Sequence, residues 1–312
     1  MKKYYSYISL IVLSLALAVS CSEKYEIKKS ASETTFLAVE SILSDIPGIQ
    51  TVKLTESIPY SGQDAPKVVS GAVVTVADAQ ENTFVRYIED PQQPGVYFSP
   101  ENYCGLTGHT YNLKIERQTE EGTKTYEASS TMREFGFDIR KVDYKYSDNL
   151  LDSLWTIGVW GTDNPQSDYY LILPAVNGYS YPMDYSLPLE DHFFSGATVA
   201  GYSIAVLNQT FENVKIYGPC AKPLETGDVV SLVLYDMPED FYYYMSALVQ
   251  SASAISIPII SSQPANLPTN LVGDNVVGFF SACPSRVVSC VVDDPYRTKY
   301  IEDVPPVPIP AQ

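Results

Sequence analysis

The sequence predicts a mainly all-β protein with one short helix near residues 238–252. Short segments alternate between apolar and polar residues, and turns that contain Gly or Pro separate these segments. About seven such segments occur in about 100 residues of the N-terminal half, which is the spacing of an immunoglobulin-like sandwich. We therefore predict an N-terminal immunoglobulin-like β-sandwich over residues 34–135 and a second β-rich domain over residues 139–292.

The alternation is clearest in the N-terminal domain. In residues 50–56, Val52 and Leu54 lie on one face of the predicted strand, and residues 70–76 alternate in the same way. Further strands are predicted over residues 35–41, 83–88, 96–98, 108–115 and 124–129. The Cys-Trp-Cys signature of true immunoglobulin domains is missing, so only the architecture is predicted.

The second domain is less regular along the sequence. Strands are predicted over residues 154–160, 169–173, 197–207, 212–217 and 229–235. Residues 275–281 and 286–292 are predicted to pair as a hairpin. Residues 293–312 are acidic and then proline-rich, which predicts an extended or disordered tail.

A capping box predicts where the helix begins. Asp236 has the position of the N-cap, and Glu239 follows it by three residues. Phe241, Met245 and Leu248 recur at helical spacing. The pattern predicts an amphipathic helix.

The N-terminus has the pattern of a bacterial lipoprotein signal. Lys2 and Lys3 precede an uncharged stretch at residues 4–19, and Cys21 follows the small residue Ser20. The apolar stretch is too short to indicate a permanent membrane span. We therefore expect cleavage after residue 20 and acylation of the Cys21 thiol.

Residues 1–20 are thus predicted to be a signal peptide, and residues 21–33 a flexible tether. Loss of Lys2 and Lys3 with the signal changes the formal net charge from -17 to -19. Such an acidic chain argues against nucleic-acid binding, because phosphate contacts need clustered Lys and Arg. Membrane attachment must then come from acyl chains, since no basic patch is available.

Cysteine usage fits an exported chain. Once Cys21 is lipidated, the remaining cysteines are Cys104, Cys220, Cys283 and Cys290. An even number outside the cytoplasm is compatible with two disulfides whose pairing stays open, and the alternative is buried free thiols. No Cys-x-x-Cys pair occurs, so a zinc or thioredoxin-like motif is absent.

The sequence contains no recognisable catalytic motif. His109 lies in a predicted strand, where a structural role is favoured. His192 follows Asp191, but a zinc site normally needs three or four ligands, so metal binding there is a minor alternative. Asp163 and Asp168 offer oxygen atoms without the EF-hand pattern and are interpreted as a polar turn. We predict no catalytic residue, no cofactor and no metal.

Aromatic residues are the one suggestive feature for binding. The chain has 25 tyrosines and 2 tryptophans, and exposed rings of these types suit sugars or protein partners. The candidate ligand-binding residues are Tyr179, Tyr181, Tyr185 and Trp160. Residues 177–185 are predicted to be a loop, and loops often carry function. The structural alternative is that tyrosine is a favoured, half-buried strand residue.

Short segments in a fixed order carry a family resemblance over nearly the whole mature chain. Besides Cys21 they are Ser70–Val76, Pro94–Tyr97, Gly108–Leu113, Tyr126–Ala128, Asp240–Tyr244, Leu267–Leu271 and Val277–Phe280. Together they resemble a family of outer-membrane lipoproteins from Bacteroidetes-type bacteria, catalogued as domain of unknown function 4249. Members are often encoded beside SusC-type TonB-dependent transporters, so the resemblance implies an accessory role in uptake at the outer membrane.

The leading hypothesis is a non-enzymatic lipoprotein at the cell surface, lipid-anchored in the outer membrane, with a TonB-dependent transporter as partner. The alternative is an adhesin that binds a carbohydrate, a glycoprotein or a peptide. A hydrolase with two distant carboxylates is the third hypothesis, although no spacing in the sequence identifies such a pair.

Overall fold

The computed structural model describes residues 35–56, 67–149, 152–180, 186–192, 195–208, 223–253 and 267–301. These residues form seventeen strands and one helix, so the all-β prediction is confirmed. The predicted signal peptide, the acylated cysteine, the tether and the strand at 212–217 lie outside the described residues.

The strands follow the chain in order. Those of the first half are β1 (Leu37–Ser44), β2 (Thr51–Glu56), β3 (Lys67–Val68), β4 (Val73–Asp78), β5 (Thr83–Glu89), β6 (Val96–Phe98), β7 (Thr110–Thr119) and β8 (Gly122–Thr131). Those of the second half are β9 (Phe137–Asn149), β10 (Asp152–Asp163), β11 (Tyr169–Val176), β12 (Tyr179–Ser180), β13 (Leu187–Glu190), β14 (Thr198–Asn208), β15 (Val229–Asp236), β16 (Val276–Cys283) and β17 (Ser285–Val291). Helix α1 (Glu239–Ser253) lies between β15 and β16.

Nine strands form one continuous sheet whose two ends meet. The order is β16-β1-β2-β6-β5-β4-β7-β8, and β3 pairs with β2. Asn270 bridges the end strands, because its Nδ2 donates to Phe280 O at 2.7 Å and to Ser129 O at 3.2 Å. Ala282 N also donates to Ser130 Oγ at 2.9 Å. The sheet therefore folds over itself as a β-sandwich around one core.

Inward-facing residues of alternating strands fill this core. Val52 and Leu54 are fully buried, as the alternation in β2 predicts. Tyr97 is buried beside them, and its hydroxyl donates to Val69 O and accepts from Ala72 N. Burial of a tyrosine is favourable here because the ring is out of water and the hydroxyl keeps its hydrogen bonds.

Two smaller sheets form a second sandwich. One has the order β14-β10-β9, and the other has the order β12-β11-β15-β17 with β13 paired to β11. Their facing sides bury Trp155 and Ile157 against Ile172 and Leu234. Every residue of β11 is buried, since its other face is covered by α1.

Helix α1 begins at Glu239, one residue after the predicted start. Its apolar face packs Phe241 and Met245 against Leu171 of β11 and Phe279 of β16. Among described residues it is the only helix, and its fifteen residues are too few and too polar to cross a membrane.

The predicted hairpin of residues 275–281 with 286–292 is wrong. β16 pairs in parallel with β1, whereas β17 pairs antiparallel with β15. Only Pro284 separates β16 from β17, and one residue is too short for the reversal that a hairpin requires. The chain thus passes directly from the first sheet into the second sandwich. The domain boundary near residue 135 stays a prediction. β16 belongs to the predicted second domain by sequence but pairs with β1 of the first sheet.

The described part of the predicted tail, residues 293–301, is packed rather than extended into solvent. Tyr296 contacts the ring of Tyr146, and Trp155 Nε1 donates to Pro295 O at 2.5 Å. Aromatic contacts and the hydrogen bonds of Arg297 hold this segment on β9 and β10.

Candidate functional site

Three buried aspartates converge where the chain passes from the first sheet into the second sandwich. Asp163, Asp168 and Asp191 are 3%, 0% and 0% exposed. One carboxylate oxygen from each lies within 4.8 Å of the others. Below, these residues are called the aspartate cluster.

Strand ends bring the cluster together. Asp163 is the last residue of β10, Asp168 directly precedes β11, and Asp191 directly follows β13. Because β11 pairs with β13, the main chain of Asp191 meets that of Asp168, with Asp191 N donating to Asp168 O at 3.2 Å. The three carboxylates therefore share one edge of the second sandwich.

The linker between β8 and β9 closes the cluster from the other side. Gly136 O accepts from Asn164 N at 3.0 Å, which holds the linker against the loop after β10. A Cβ at position 136 would overlap Asp168 Oδ2 and Asn164 Nδ2. Glycine is therefore required here by close approach, since any side chain would occupy the space of the carboxylate.

Four donors reach the cluster. Arg133 Nη2 donates to Asp168 Oδ1 at 2.6 Å, and Tyr170 OH donates to Asp163 Oδ1 at 3.1 Å. Gly196 N reaches Asp163 Oδ2 at 3.3 Å, and the Asn164 side chain hydrogen-bonds Asp168. These contacts serve two of the three carboxylates.

Asp191 is different, because both of its oxygens are buried and accept no hydrogen bond within the described part of the chain. Asp236, at the end of β15 and fully buried, is only half satisfied. Its Oδ2 accepts from Gly136 N at 2.8 Å, whereas Oδ1 is likewise unpartnered there. The predicted N-cap role of Asp236 is therefore not observed, since its carboxylate faces the linker instead of the first turn of α1.

Burial and mutual repulsion shift the acid equilibria of this region. The pKa of Asp163 is raised to about 7, by burial first; the hydrogen bond from Tyr170 opposes this shift, and the neighbouring Asp191 carboxylate adds to it. The pKa of Asp236 is raised to about 7 by burial first, with the charge of Asp168 adding to the effect. Burial also raises the pKa of Tyr170, so its hydroxyl stays a donor. The region holds more negative charge than its surroundings compensate.

The model of one family, "Domain of unknown function (DUF4249)", matches residues 22–287. The chain belongs to this family.

Other comparisons add little to the family assignment. No curated protein matches the chain. Among solved structures, the crystal structure of a DUF4785 family protein from Legionella pneumophila is 10% identical with a TM-score of 0.22. That match covers 63% of this chain, which spans about half (51%) of the Legionella chain.

The aspartate cluster of this DUF4249 protein was only partly visible in the sequence. The sequence predicts a polar turn at Asp163 and Asp168 and singles out Asp191 only together with His192. In the structure Asp191 points inward and is buried, whereas His192 is exposed. The missing signal was the pairing of β11 with β13, which the sequence does not show.

The aromatic candidates are dispersed in this DUF4249 protein. Tyr179 lies on β12 and is 60% exposed. Trp160 lies on β10 in the other sheet, half-buried, with Lys141 Nζ 4.5 Å from its ring centroid and Tyr300 packed edge-on. Tyr181 and Tyr185 lie outside the described residues.

Three cysteines are free thiols in the described part of the chain. Cys283 is buried beneath α1, Cys290 is half-buried on β17, and Cys104 is half-buried before β7. Burial raises the pKa of the Cys290 thiol to about 11. Two disulfides would need at least one bond among these three, and none is formed between them. Cys220 lies outside the described residues.

Proposed function

We propose that this DUF4249 protein is an outer-membrane lipoprotein that acts as a non-enzymatic binding component at the cell surface. In this proposal it is anchored through acylated Cys21 and works with a SusC-type TonB-dependent transporter in nutrient capture. The observation that carries the proposal is the lipoprotein-type sequence that ends at Cys21. The family match begins at residue 22, next to the proposed lipidation site, which supports it.

An exposed apolar pair on β5 supports a protein partner. Phe84 is 75% and Ile88 is 63% exposed, and both project outward on the same face of the strand with the exposed Arg86 between them. Exposed apolar patches on a protein surface often mark protein interaction sites. On a strongly acidic protein, this face offers a partner aromatic and aliphatic contact beside a positive charge.

Affinity purification from native membranes in mild detergents tests the partnership. We expect the wild-type protein to recover an outer-membrane transporter, and Phe84→Ser with Ile88→Ser to lose it. Val287→Ser with Val291→Ser is the matched control, because these exposed residues lie on β17, away from β5. Recovery of no transporter in any detergent would contradict the proposal.

Metabolic labelling with an alkyne fatty acid tests the anchor separately. We expect label on the wild-type protein and on Cys290→Ser, and none on Cys21→Ser. A labelled Cys21→Ser variant, or an unlabelled wild type in the soluble fraction, would exclude the anchor.

Glycan binding is the second candidate function. The β11–β12 turn supports it, because Asn177 and Gly178 have positive φ values of 51° and 82° and form a tight reversal that presents Tyr179 to solvent. We expect binding on a glycan array that Tyr179→Ala removes. Tyr202→Ala, an exposed tyrosine on β14, is the control. Absence of binding to every glycan would end this alternative.

A further inference from the structure

We propose that Asp163, Asp168 and Asp191 form a binding site for one divalent cation of the calcium class. This site is independent of the lipid anchor and of any transporter partner. Three features of the cluster support it: its charge, its unpartnered oxygens, and the kind and spacing of its ligand atoms.

The cluster lies in a region with an excess of buried negative charge. The three aspartates of the cluster and the adjacent Asp236 are all buried. Arg133 is the one cationic side chain that forms an ion pair with them in the described part of the chain. Buried carboxylates without compensation are costly, so the site must acquire positive charge, either as protons or as a cation.

Asp191 provides independent evidence for a bound cation. It is fully buried, and neither of its oxygens accepts a hydrogen bond from any described residue. Its carboxylate faces Asp163, and two ionised carboxylates repel each other. A bound cation explains why folding buries this carboxylate without hydrogen-bond donors.

The ligand atoms select the class of ion. All are carboxylate oxygens, which suit Ca²⁺ or Mg²⁺, whereas zinc favours nitrogen and sulfur. The cluster oxygens lie within 4.8 Å of one another, which is close enough for one cation with ligand distances of about 2.4 Å to contact all three carboxylates. Mg²⁺ demands near-ideal octahedral geometry, whereas Ca²⁺ accepts flexible sets of carboxylate and carbonyl oxygens.

An entry route and additional oxygens are close to the cluster. A surface depression lined by Gly136, Phe137, Thr162 and Asn164 includes Asp163 of the cluster in its wall. Ca²⁺ takes six to eight oxygens and accepts backbone carbonyls and waters as ligands. The loop after β10 and water entering through the depression are the natural sources of the remaining ligands.

Protons shared between Asp163 and Asp191 are the competing explanation. The two explanations differ in what stabilises the fold at neutral pH. Thermal unfolding of the intact mature protein in detergent, in EDTA and in CaCl₂, separates them. At a Ca²⁺ concentration 100 times Kd, we expect Tm to rise by roughly 5–10 °C. A weaker response is expected with MgCl₂.

Asp191→Asn is the decisive variant, because it keeps the shape and removes one charge. We expect it to lose the Ca²⁺ response and, in EDTA, to be at least as stable as the wild type, since carboxylate repulsion is relieved. Asp143→Asn is the matched control. Asp143 is also buried and paired with an arginine, but its oxygens have donors, so this variant should keep the full Ca²⁺ response.

Terbium luminescence gives a second readout that does not depend on stability. Tb³⁺ substitutes for Ca²⁺, and Tyr170, whose hydroxyl is 3.1 Å from Asp163, is placed to sensitise its emission. We expect emission from the wild type and Asp143→Asn, competed by CaCl₂, and loss of emission from Asp191→Asn. Equal Tm values in EDTA and CaCl₂ together with absent emission would overturn the cation site and favour shared protons.

Discussion

Two buried aspartate sites lie in the second half of the chain, and they are satisfied in different ways. At the first, Asp143 is 3% exposed and pairs with Arg297. Its Oδ1 also accepts from Tyr144 N at 2.9 Å, and its Oδ2 accepts from Ile301 N at 2.6 Å. Every carboxylate oxygen there has a donor from the protein.

At the second site, the aspartate cluster has more carboxylates and fewer donors. Both oxygens of Asp191 and one of Asp236 have none among described residues. Burial alone therefore does not mark a functional site. A buried acid with a complete set of donors is structural, whereas one without donors indicates a missing positive charge.

Loss of the arginine at the first site should have the largest effect. Arg297→Met leaves Asp143 buried without its counter-charge, so we expect the free energy of unfolding to fall by about 3–5 kcal/mol. Urea denaturation of the variant measures it. Arg140→Met is the control, since Arg140 and Asp138 are 52% and 73% exposed and should lose less than about 1 kcal/mol. Equal losses would show that burial does not distinguish the two pairs.

The second site should give the protein an unusual pH dependence in EDTA. Burial raises the pKa of Asp236 from 3.8 to about 7, and the charges of Asp168 and Asp163 add to this shift, whereas the hydrogen bond from Gly136 N and the charge of Arg133 oppose it. Between these values the folded protein holds the extra proton, so stability should fall as pH rises from about 4 to about 7. Asp236→Asn should flatten this slope, by about 1.4 kcal/mol for each pKa unit removed.

Asp138→Asn is the control for the pH series, because Asp138 is exposed. Chemical denaturation at several pH values, with EDTA present, gives the profiles. A profile for Asp236→Asn as steep as that of the wild type would contradict the assigned role of Asp236.

The strands were predictable where one face is buried. The alternation around Val52 and Leu54 fixes which residues point into the core, because the side-chain period of a strand is two. Helix α1 was predictable from Phe241 and Met245 for the same kind of reason. Such patterns involve residues that are close together along the chain, so they can be recognised from the sequence.

Pairings between distant segments were not predictable. Residues 275–292 look like a hairpin because two apolar runs follow each other, but β16 and β17 join different sheets. Asp236 fits a capping box by spacing, yet tertiary contact with Gly136 N directs its carboxylate elsewhere. The aspartate cluster depends on the same long-range contacts, so the sequence showed its members without their proximity.

Adding a methyl group beside the aspartate cluster should lower the free energy of unfolding moderately. Gly136→Ala places a methyl group in the space of the Asp168 carboxylate, so we expect a loss of about 1–3 kcal/mol in urea denaturation. Gly48→Ala is the control, because the nearest atom to its Cβ would be Ile46 O at 4.0 Å. If both variants have wild-type stability, the tight packing around the cluster is refuted.

The smallest effects are expected when one tyrosine hydroxyl is removed at each site. Tyr170→Phe removes a hydroxyl whose acceptors are distant, Asp163 Oδ1 at 3.1 Å and Asp168 Oδ2 at 3.5 Å, and should cost about 1 kcal/mol. Tyr144→Phe should cost more, about 1.5–3 kcal/mol, because its hydroxyl donates to Asp293 at 2.6 Å and accepts from Asp294 N at 3.2 Å. Urea denaturation in EDTA compares them directly. The reverse order would mean that Tyr170 compensates the cluster more strongly than its long contacts with Asp163 and Asp168 imply, and the positive charge inferred there would be less necessary.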